Sequence, residues 1–182
     1  YLYDGGIRVL GIIKWSGIKT TKKIIEDPIG LIDVMPTLCE IIVVNPPNVL
    51  DGTSFMPLLE DMPIVRNRPL FWFFYCTRPE IAMRVGDYMV LGLDNDTIPS
   101  PHQFSQEDYE YFKTISIKDY ELFDLSKDFS QENSIFDLHP KKDSLKKMIN
   151  NQLEEIRKNL YQWKNLPLKK GRRKNKTKWV RY

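Results

Sequence analysis

The chain has 182 residues, enough for one domain or for one domain and a smaller second one. Hydrophobic residues make up 42% and charged residues 28%, which is typical of a globular protein, and no apolar run is long enough to span a bilayer. Two cysteines, Cys39 and Cys76, are too few for a disulfide framework. Two histidines, His102 and His139, are too few for a histidine-rich metal site.

The net charge of +3 conceals an uneven distribution along the chain. Residues 164–182 contain nine Lys or Arg and no Asp or Glu, whereas residues 1–163 contain 18 basic and 24 acidic residues. The basic segment is expected to be a solvated, disordered tail. The alternative is a polyanion-binding tail, because clustered cations beside aromatic residues bind polyanions in a salt-dependent way. Heparin retention, compared with that of a chain ending at Trp163, would distinguish the two.

The first part of the chain predicts a buried strand and a helix. Residues 7–15 are β-branched and almost continuously apolar, which favours a strand covered on both faces, as in an α/β sheet. Gly5 and Gly6 before it predict a tight turn that a Cβ would obstruct. Apolar residues at helical spacing then run from residue 29 to residue 42. Asp27 is the expected N-cap of this helix, and Pro36 predicts a kink or two abutting helical pieces.

A loop and a polar stretch follow this helix. Asp51 and Gly52 predict a turn in which the glycine adopts an unusual φ and the carboxylate accepts hydrogen bonds from nearby N–H groups. Residues 55–59 suit one helical turn. Residues 60–68 are polar and form the best candidate for a boundary between two structural units.

The second part of the chain predicts a small antiparallel sheet with a helix laid against it. Strands are expected at residues 70–75, 81–85, 88–92 and 120–125, with Gly86 and Asp87 forming a hairpin turn. The aromatic residues 71–75 are interpreted as core and not as a sugar-binding platform. Pro140 can start the last helix, whose apolar stripe extends to Trp163, and His139 is expected to cap it.

The order of these motifs resembles the C-terminal portion of the sulfatase family. The matching elements cover roughly residues 1–163, and six of them occur in the family's order: Asp4-Gly5-Gly6-Ile7-Arg8 followed by Trp15-Ser16-Gly17, then residues 29–38, 50–59, 68–72, 82–88 and 121–128. Leu10 and Ser16 stand where the family usually has Pro.

The resemblance implies a fold of the α/β class with two units and a tail. Residues 1–62 would be the C-terminal end of the sulfatase α/β domain, contributing the end of a large mixed sheet with flanking helices. Residues 63–163 would form a small α+β subdomain, an antiparallel sheet packed by a C-terminal helix. Residues 164–182 would be the basic tail. Because the opening motif normally lies well inside a sulfatase, the sequence is expected to start in the middle of a protein.

The resemblance also implies a reaction centre built from residues upstream of this chain. Sulfatases are metal-assisted sulfuric ester hydrolases, with a formylglycine nucleophile made from a Cys/Ser-x-Pro-x-Arg motif and a divalent cation, usually calcium. Neither that motif nor the metal ligands occur here, and a sulfate-contacting Lys is expected five residues before Asp4. No catalytic or metal-binding residue is therefore assigned to this chain, and it is expected to be inactive alone.

Six motif residues are assigned structural roles: Asp4, Gly5, Gly6, Arg8, Asp51 and Gly52. Arg8 is expected to make a charge-assisted structural bond, and Asp4 is a candidate to support the expected Lys from behind. The substrate of the whole protein would be a sulfated small molecule or polysaccharide. Export to the periplasm, the lysosome or the exterior is implied by the family, and no nucleic-acid partner is expected. Two alternatives remain: a non-catalytic polyanion-binding module, and a phosphoric ester or phosphonate hydrolase of the same superfamily.

Overall fold

A computed structural model of the chain describes residues 1–17, 23–47, 50–75, 78–95 and 111–159. Cys76, His102 and the basic tail lie outside these ranges. The regular elements of the described residues are, in chain order, α1 (Asp4–Ile7), a 3₁₀ turn (Leu31–Asp33), α2 (Val34–Ile41), α3 (Met56–Leu59), β1 (Leu70–Tyr75), β2 (Pro79–Val85), β3 (Tyr88–Leu93), β4 (Asp119–Asp124), a second 3₁₀ turn (Phe136–Leu138) and α4 (Lys142–Asn159). In the part of the chain described, we find no helix with the length and apolarity needed to cross a bilayer.

The four strands form one antiparallel sheet in which each strand pairs with the next one in sequence. Met83 in the second strand, for example, lies opposite Phe71 on one side and Val90 on the other. The hairpin between β2 and β3 turns at Gly86, whose φ of +56° lies in the left-handed region that favours glycine. The predicted sheet and hairpin are confirmed, with strand ends that differ by one or two residues.

One face of the sheet is covered by α4. Leu145, Ile149 and Leu153 recur every four residues along this helix and pack on the buried side chains of the strands, among them Ile81 and Met83. The predicted apolar stripe is thus confirmed up to the end of the described helix. Phe71, Phe73 and Tyr75 of β1 pack against the same cluster, so the interpretation of the aromatic run as core is confirmed for these residues but not for Phe74, which is exposed.

The other face of the sheet is covered by the first residues of the chain. Leu2 is buried against Ala82, Met89, Leu91 and Phe123, and Tyr3 and Ile7 pack around this cluster. The sheet is therefore the middle layer of three, with α4 on one side and residues 2–7 on the other. This contact joins the two predicted units, 1–62 and 63–163, and the sequence interpretation did not include it.

The predicted strand at residues 7–15 is wrong for the described chain. Residues 4–7 form a short helix, residues 8–15 have no regular structure, and Val9, Leu10 and Ile12 are 87%, 97% and 92% exposed. A strand exists only when its backbone pairs with a neighbour, and the described residues offer this segment none. The apolar character that predicted a buried strand is instead displayed to solvent.

The predicted helix begins later than expected. Asp27 is not its N-cap, because regular structure begins with the 3₁₀ turn and continues into α2 at Val34. The expected division into two abutting pieces is confirmed, but the junction lies between Asp33 and Val34. Pro36 is the third residue of α2, where its missing N–H removes no intrahelical hydrogen bond. The short helix expected within residues 55–59 is confirmed as α3.

Glycine has a different role at Gly52 from the one predicted. Its φ is not in the left-handed region, so the expected unusual turn conformation is wrong. An ideal Cβ on Gly52 would instead lie 2.0 Å from the carbonyl oxygen of Ile32, which means that only a residue without a side chain lets the loop approach the 3₁₀ turn. Gly6 is similarly crowded, with an ideal Cβ 2.4 Å from the carbonyl oxygen of Tyr1. Gly5 has nothing within 4 Å, so the expected obstruction applies to Gly6 only.

The contrast between two glycines gives a direct test of this packing. We expect Gly52→Ala to lower the free energy of unfolding by about 3 kcal/mol, because the new methyl group collides with backbone and not with a flexible side chain. Gly5→Ala is the matched control and should change the same quantity by less than about 1 kcal/mol, in the stabilising direction for a helical residue. Urea unfolding of both variants measures the difference, and equal effects would contradict the close approach.

Candidate functional site

The candidate site is the N-terminal segment, defined as residues 1–8, together with the sheet side chains that hold it. Alternation along β2 places Glu80, Ala82 and Arg84 on the face that this segment covers. Glu121 of β4 lies opposite Leu91, on the same face. This face therefore combines an apolar centre with charged groups, which is the composition needed to bind a backbone segment through both burial and hydrogen bonds.

Three side chains bind the N-terminal segment by hydrogen bonds, and we call Glu80, Glu121 and Gln131 the anchoring side chains. The backbone N–H of Leu2 donates to Glu80 Oε2 at 3.0 Å, and the backbone N–H of Asp4 donates to Gln131 Oε1 at 2.5 Å. The hydroxyl of Tyr3 donates to Glu121 Oε2 at 2.7 Å. Every residue from 2 to 4 is thereby bonded to a part of the chain that is distant in sequence.

The electrostatics of the anchoring side chains favour this arrangement. Glu80 is almost completely buried, and the guanidinium Nε of Arg78 donates to its second oxygen at 2.9 Å. A buried carboxylate is costly unless it is paired, so both of its partners are needed. Burial, followed by the hydrogen bond to Glu121 and its negative charge, raises the pKa of Tyr3 from 10.0 to about 12, so the protonated hydroxyl that donates to Glu121 persists to a higher pH than in a free tyrosine.

Asp4 is buried between two arginines. Arg8 Nη1 lies 3.2 Å from Asp4 Oδ2, and Arg84 Nη1 lies 4.0 Å from Asp4 Oδ1. Arg8 therefore makes a charge-assisted hydrogen bond to Asp4, and its guanidinium also stacks over the ring of Phe129 at 4.8 Å. Burial lowers the pKa of Arg84, while the nearby carboxylates of Asp4 and Asp87 act in the opposite direction.

Gln131 is in an unusual state for a residue of a connecting loop. It is buried, its φ of 53° lies in the left-handed region, and its Nε2 has no hydrogen-bond partner among the described residues. Left-handed backbone and an unpaired buried donor each cost free energy. The loop after β4 therefore contains two destabilising features at Gln131, and in this conformation Gln131 Oε1 accepts the N–H of Asp4.

A second cluster is centred on the buried carboxylate of Asp33. Arg66 binds it with two hydrogen bonds, of 2.9 Å to Oδ1 and 2.7 Å to Oδ2, and also donates to the carbonyl of Pro28 at 2.8 Å. The backbone N–H groups of Gly30 and Thr53 donate to the same carboxylate at 2.7 and 2.8 Å. Asp33 thus ties the start of α2, the loop of residues 50–54 and the approach to β1 together.

The pKa of Asp33 results from opposing effects. Burial acts to raise it, but the hydrogen bonds from Arg66 and from the N–H groups of Gly30 and Thr53 outweigh burial, so the pKa lies below its ordinary value of 3.8. The neighbouring Thr37 completes the cluster: its hydroxyl donates to the carbonyl of Asp33 at 2.6 Å and accepts the N–H of Phe55 at 3.0 Å.

Asp51, by contrast, is exposed. Its carboxylate accepts a hydrogen bond from Arg68 at 3.2 Å, and among the described residues no backbone N–H donates to it, so these residues do not show the predicted turn role. Asp33 performs the role that the sequence analysis gave to Asp51, because its carboxylate accepts the N–H of Thr53. α4 begins at Lys142, two residues after Pro140, and His139 accepts the N–H of Lys141 on Nδ1 at 3.3 Å in the turn before the helix, so His139 bonds to this turn and not to an N–H of the helix.

The described residues offer no candidate metal centre. Within the described ranges no group of three His, Cys, Asp or Glu side chains is placed to hold a metal ion, so these residues do not fit a calcium site. Cys39 is a free, buried thiol on α2. What the arrangement can do chemically is bind and orient backbone, through the anchoring side chains at one place and Asp33 at another.

The structure groups the six sequence-assigned residues into two places. Asp4, Gly5, Gly6 and Arg8 belong to α1 and its flank, whereas Asp51 and Gly52 lie in the loop that packs on the 3₁₀ turn. The sequence analysis missed Glu80, Gln131, Asp33 and Arg66. Glu80 directly precedes the apolar residues 81–83 of the predicted strand, and this position was the one available signal for a buried polar contact.

The Asp33–Arg66 pair should dominate the stability of the first part of the chain. We expect Arg66→Ala to lower the free energy of unfolding by about 3–5 kcal/mol, because it leaves a buried carboxylate without its charge partner. Arg68→Ala is the control: Arg68 is 45% exposed at its side chain and pairs with exposed carboxylates, so the loss should stay below about 1 kcal/mol.

The pH dependence of the same pair follows from the lowered pKa of Asp33. The stability it contributes is complete above the unfolded value near 3.8 and is lost as the pH falls through the lower, folded-state pKa. In Arg66→Ala only burial and the two backbone bonds remain, so acid unfolding should begin at a higher pH than in the parent. Circular dichroism during acid titration measures this, and identical acid midpoints would contradict it.

Comparison with known proteins relates the chain to sulfatases. No model of a protein family matches it. Human arylsulfatase D is 38% identical over 76 residues, which cover 41% of this chain and 13% of that protein. A sulfatase of Formosa agariphila is 28% identical over 150 residues, covering 79% of this chain and 25% of that protein.

A solved structure described as a complex with its substrate D-glucosamine-2-N,6-O-disulfate aligns with 69% of this chain and 23% of that chain, with 21% identity and a TM-score of 0.46. The chain spans about an eighth to a quarter of the length of the sulfatases that it matches in sequence. In sequence, the chain is therefore similar to sulfatases, and the match lies in their C-terminal portion.

Proposed function

We propose that this chain is the C-terminal part of a sulfuric ester hydrolase and that it is inactive without the remainder of that enzyme. The similarity to sulfatases several times its length supports this proposal. In it, residues 1–62 complete an α/β domain, residues 63–163 form a small α+β subdomain, and residues 164–182 are a basic tail. The substrate class is a sulfate ester, the bond that sulfatases cleave.

The observation that carries the proposal is the solvent-exposed apolar surface of residues 9–12. Val9 and Leu10 are adjacent, so in an extended segment their side chains point to opposite sides, and both are almost fully exposed. A segment that is apolar on both sides is typical of a central strand in an α/β sheet. In the proposal, the sheet and helices of a larger domain cover this segment. The greater length of the sulfatase relatives supports the existence of such a domain.

Helix α2 supports the same proposal. Leu31, Met35, Leu38 and Ile42 recur at helical spacing across the 3₁₀ turn and α2, and all four are exposed. Contiguous apolar stripes of this kind mark interaction surfaces in proteins that are otherwise well packed. The buried side of the same helix carries Thr37 and Cys39, so the helix is anchored on one side, and no described residue buries the other.

The chemistry of the proposed enzyme is supplied from upstream. A formylglycine nucleophile and a calcium ion there would neutralise and attack the sulfate ester. The described residues of this chain bind and orient backbone, and Asp4, between Arg8 and Arg84, adds a fixed charge next to the segment that leads into that region. Export from the cytoplasm is part of the proposal through the family resemblance.

The first experiment assigns the reaction. The complete gene product should hydrolyse 4-nitrophenyl sulfate in the presence of calcium and lose that activity when EDTA removes the metal. Residues 1–182 alone should show no turnover in the same assay. Turnover by residues 1–182 alone would contradict the proposal. Hydrolysis of 4-nitrophenyl phosphate in place of the sulfate would favour the alternative of a phosphoric ester hydrolase.

The second experiment tests the uncovered apolar surface. Leu10 is 97% exposed, so Leu10→Lys should change the unfolding free energy of residues 1–182 by less than about 0.5 kcal/mol. In the complete gene product the same change should cost about 3 kcal/mol or more, because it would bury an unpaired charge.

Leu138→Lys is the matched control for this comparison. Leu138 is 88% exposed on the second 3₁₀ turn, away from the proposed α/β part, and its substitution should be neutral in both proteins. Thermal unfolding of the two variants in both proteins provides the measurement. If Leu10→Lys is neutral in the complete gene product, the proposed covering of this segment is wrong.

A further inference from the structure

We propose that the anchoring side chains Glu80, Glu121 and Gln131 are positioning residues for the reaction centre, which they hold in register through residues 2–4. This inference rests on the proposed function, because the reaction centre lies in the polypeptide upstream of Tyr1. The small sheet would then do more than complete the fold: it would set the place of the chain segment that leads into the site of chemistry.

The contacts converge on a very short stretch of backbone. Glu80, Glu121 and Gln131 bond to residues 2, 3 and 4 from positions 78, 118 and 127 residues later in the chain. They come from β2, from β4 and from the loop that follows β4. Three bonds from three separate places restrict both the translation and the rotation of the segment, which a single bond or apolar packing alone does not do.

The form of these bonds favours positioning over simple attachment. Leu2 already packs into the apolar cluster of the sheet face, so burial alone would hold the segment to the sheet. The fold nevertheless keeps a buried carboxylate at Glu80 and a left-handed, incompletely bonded residue at Gln131. Hydrogen bonds are directional and apolar contacts are not, so these costs are understandable where the orientation of the backbone matters.

The distance to the proposed site of chemistry is short. The sulfate-contacting Lys implied by the family resemblance would stand three residues before Leu2, and three residues span at most about 11 Å of extended chain. A misplacement of about 1 Å at a reacting group can reduce the rate about 100-fold. If the N-terminal segment were held more loosely, the reacting groups would be less well placed, so kcat would fall while the affinity for substrate would change little.

Two tyrosines on opposite faces of the sheet separate positioning from stability. Tyr3 bonds to Glu121 on the face that the N-terminal segment covers. Tyr120 is the matched control, since its hydroxyl accepts a hydrogen bond from Asn150 of α4 at 2.8 Å, on the opposite face. Tyr3→Phe and Tyr120→Phe each delete one hydroxyl that bonds to a side chain across an interface, and neither adds volume.

The experiment compares these two variants in the complete gene product. With 4-nitrophenyl sulfate, Tyr3→Phe should lower kcat about three- to tenfold and leave KM within about twofold. It should also speed amide hydrogen exchange in peptides covering residues 1–8. Both variants should lower the melting temperature by similar amounts. Tyr120→Phe, however, should leave kcat and the hydrogen exchange of residues 1–8 unchanged. Equal losses of kcat in both variants, or none in Tyr3→Phe, would overturn the inference.

A second pair of variants separates the loss of one hydrogen bond from a general loss of folding. Glu80→Gln keeps one oxygen that can accept the N–H of Leu2, whereas Glu80→Ala removes it, so kcat should fall in the order parent, Gln variant, Ala variant. Equal kcat values for the two would overturn a positioning role for Glu80. If the parent protein does not hydrolyse sulfate esters, the proposed function is wrong, and so is the positioning role of the anchoring side chains in catalysis. The exchange data would then still decide whether the anchoring bonds hold residues 1–8.

Discussion

The hydrogen bond between the buried carboxylate of Glu80 and the N–H of Leu2 is the contact on which the described architecture depends. It lies where the first residues of the chain meet the sheet, and the bonds of Glu121 and Gln131 extend it along the next two residues. Together with the apolar packing of Leu2, this contact holds the N-terminal segment on the face of the small sheet that α4 does not cover. Burying Glu80 is tolerated because Arg78 supplies the second partner.

The second part of the chain was predictable from sequence because its signals are local. Two short apolar runs on either side of a Gly-Asp turn indicate β2 and β3, and an apolar stripe at three- and four-residue steps indicates α4. In the first part the short helices were predictable in the same way, but the apolar run from residue 7 to 15 was not, because it predicts burial and cannot say which chain segment provides it. When the neighbouring strands are not among the described residues, an apolar run shows only that a surface needs to be covered. It does not show which secondary structure the run adopts.

The candidate site shows the same limit in its polar residues. Arg8 was assigned a structural bond and makes it, and Gly6 was assigned a crowded position and occupies one. Gly52 was recognised as necessary, but for the wrong physical reason: the approach of Ile32 and not a left-handed φ. Asp33 and Arg66 are 33 residues apart, and no local pattern indicates that a carboxylate and a guanidinium so separated will form a buried pair.

The account holds that an apolar surface, a set of anchoring bonds and a sulfatase-like order of motifs belong to one enzyme whose nucleophile lies upstream. Mass spectrometry of peptides from the complete gene product tests that claim most directly. The account predicts an aldehyde at the Cys or Ser of an upstream Cys/Ser-x-Pro-x-Arg sequence, the chemical mark of a formylglycine. An upstream region that lacks such a motif, or one whose nucleophile is an unmodified Ser or Thr, would contradict it.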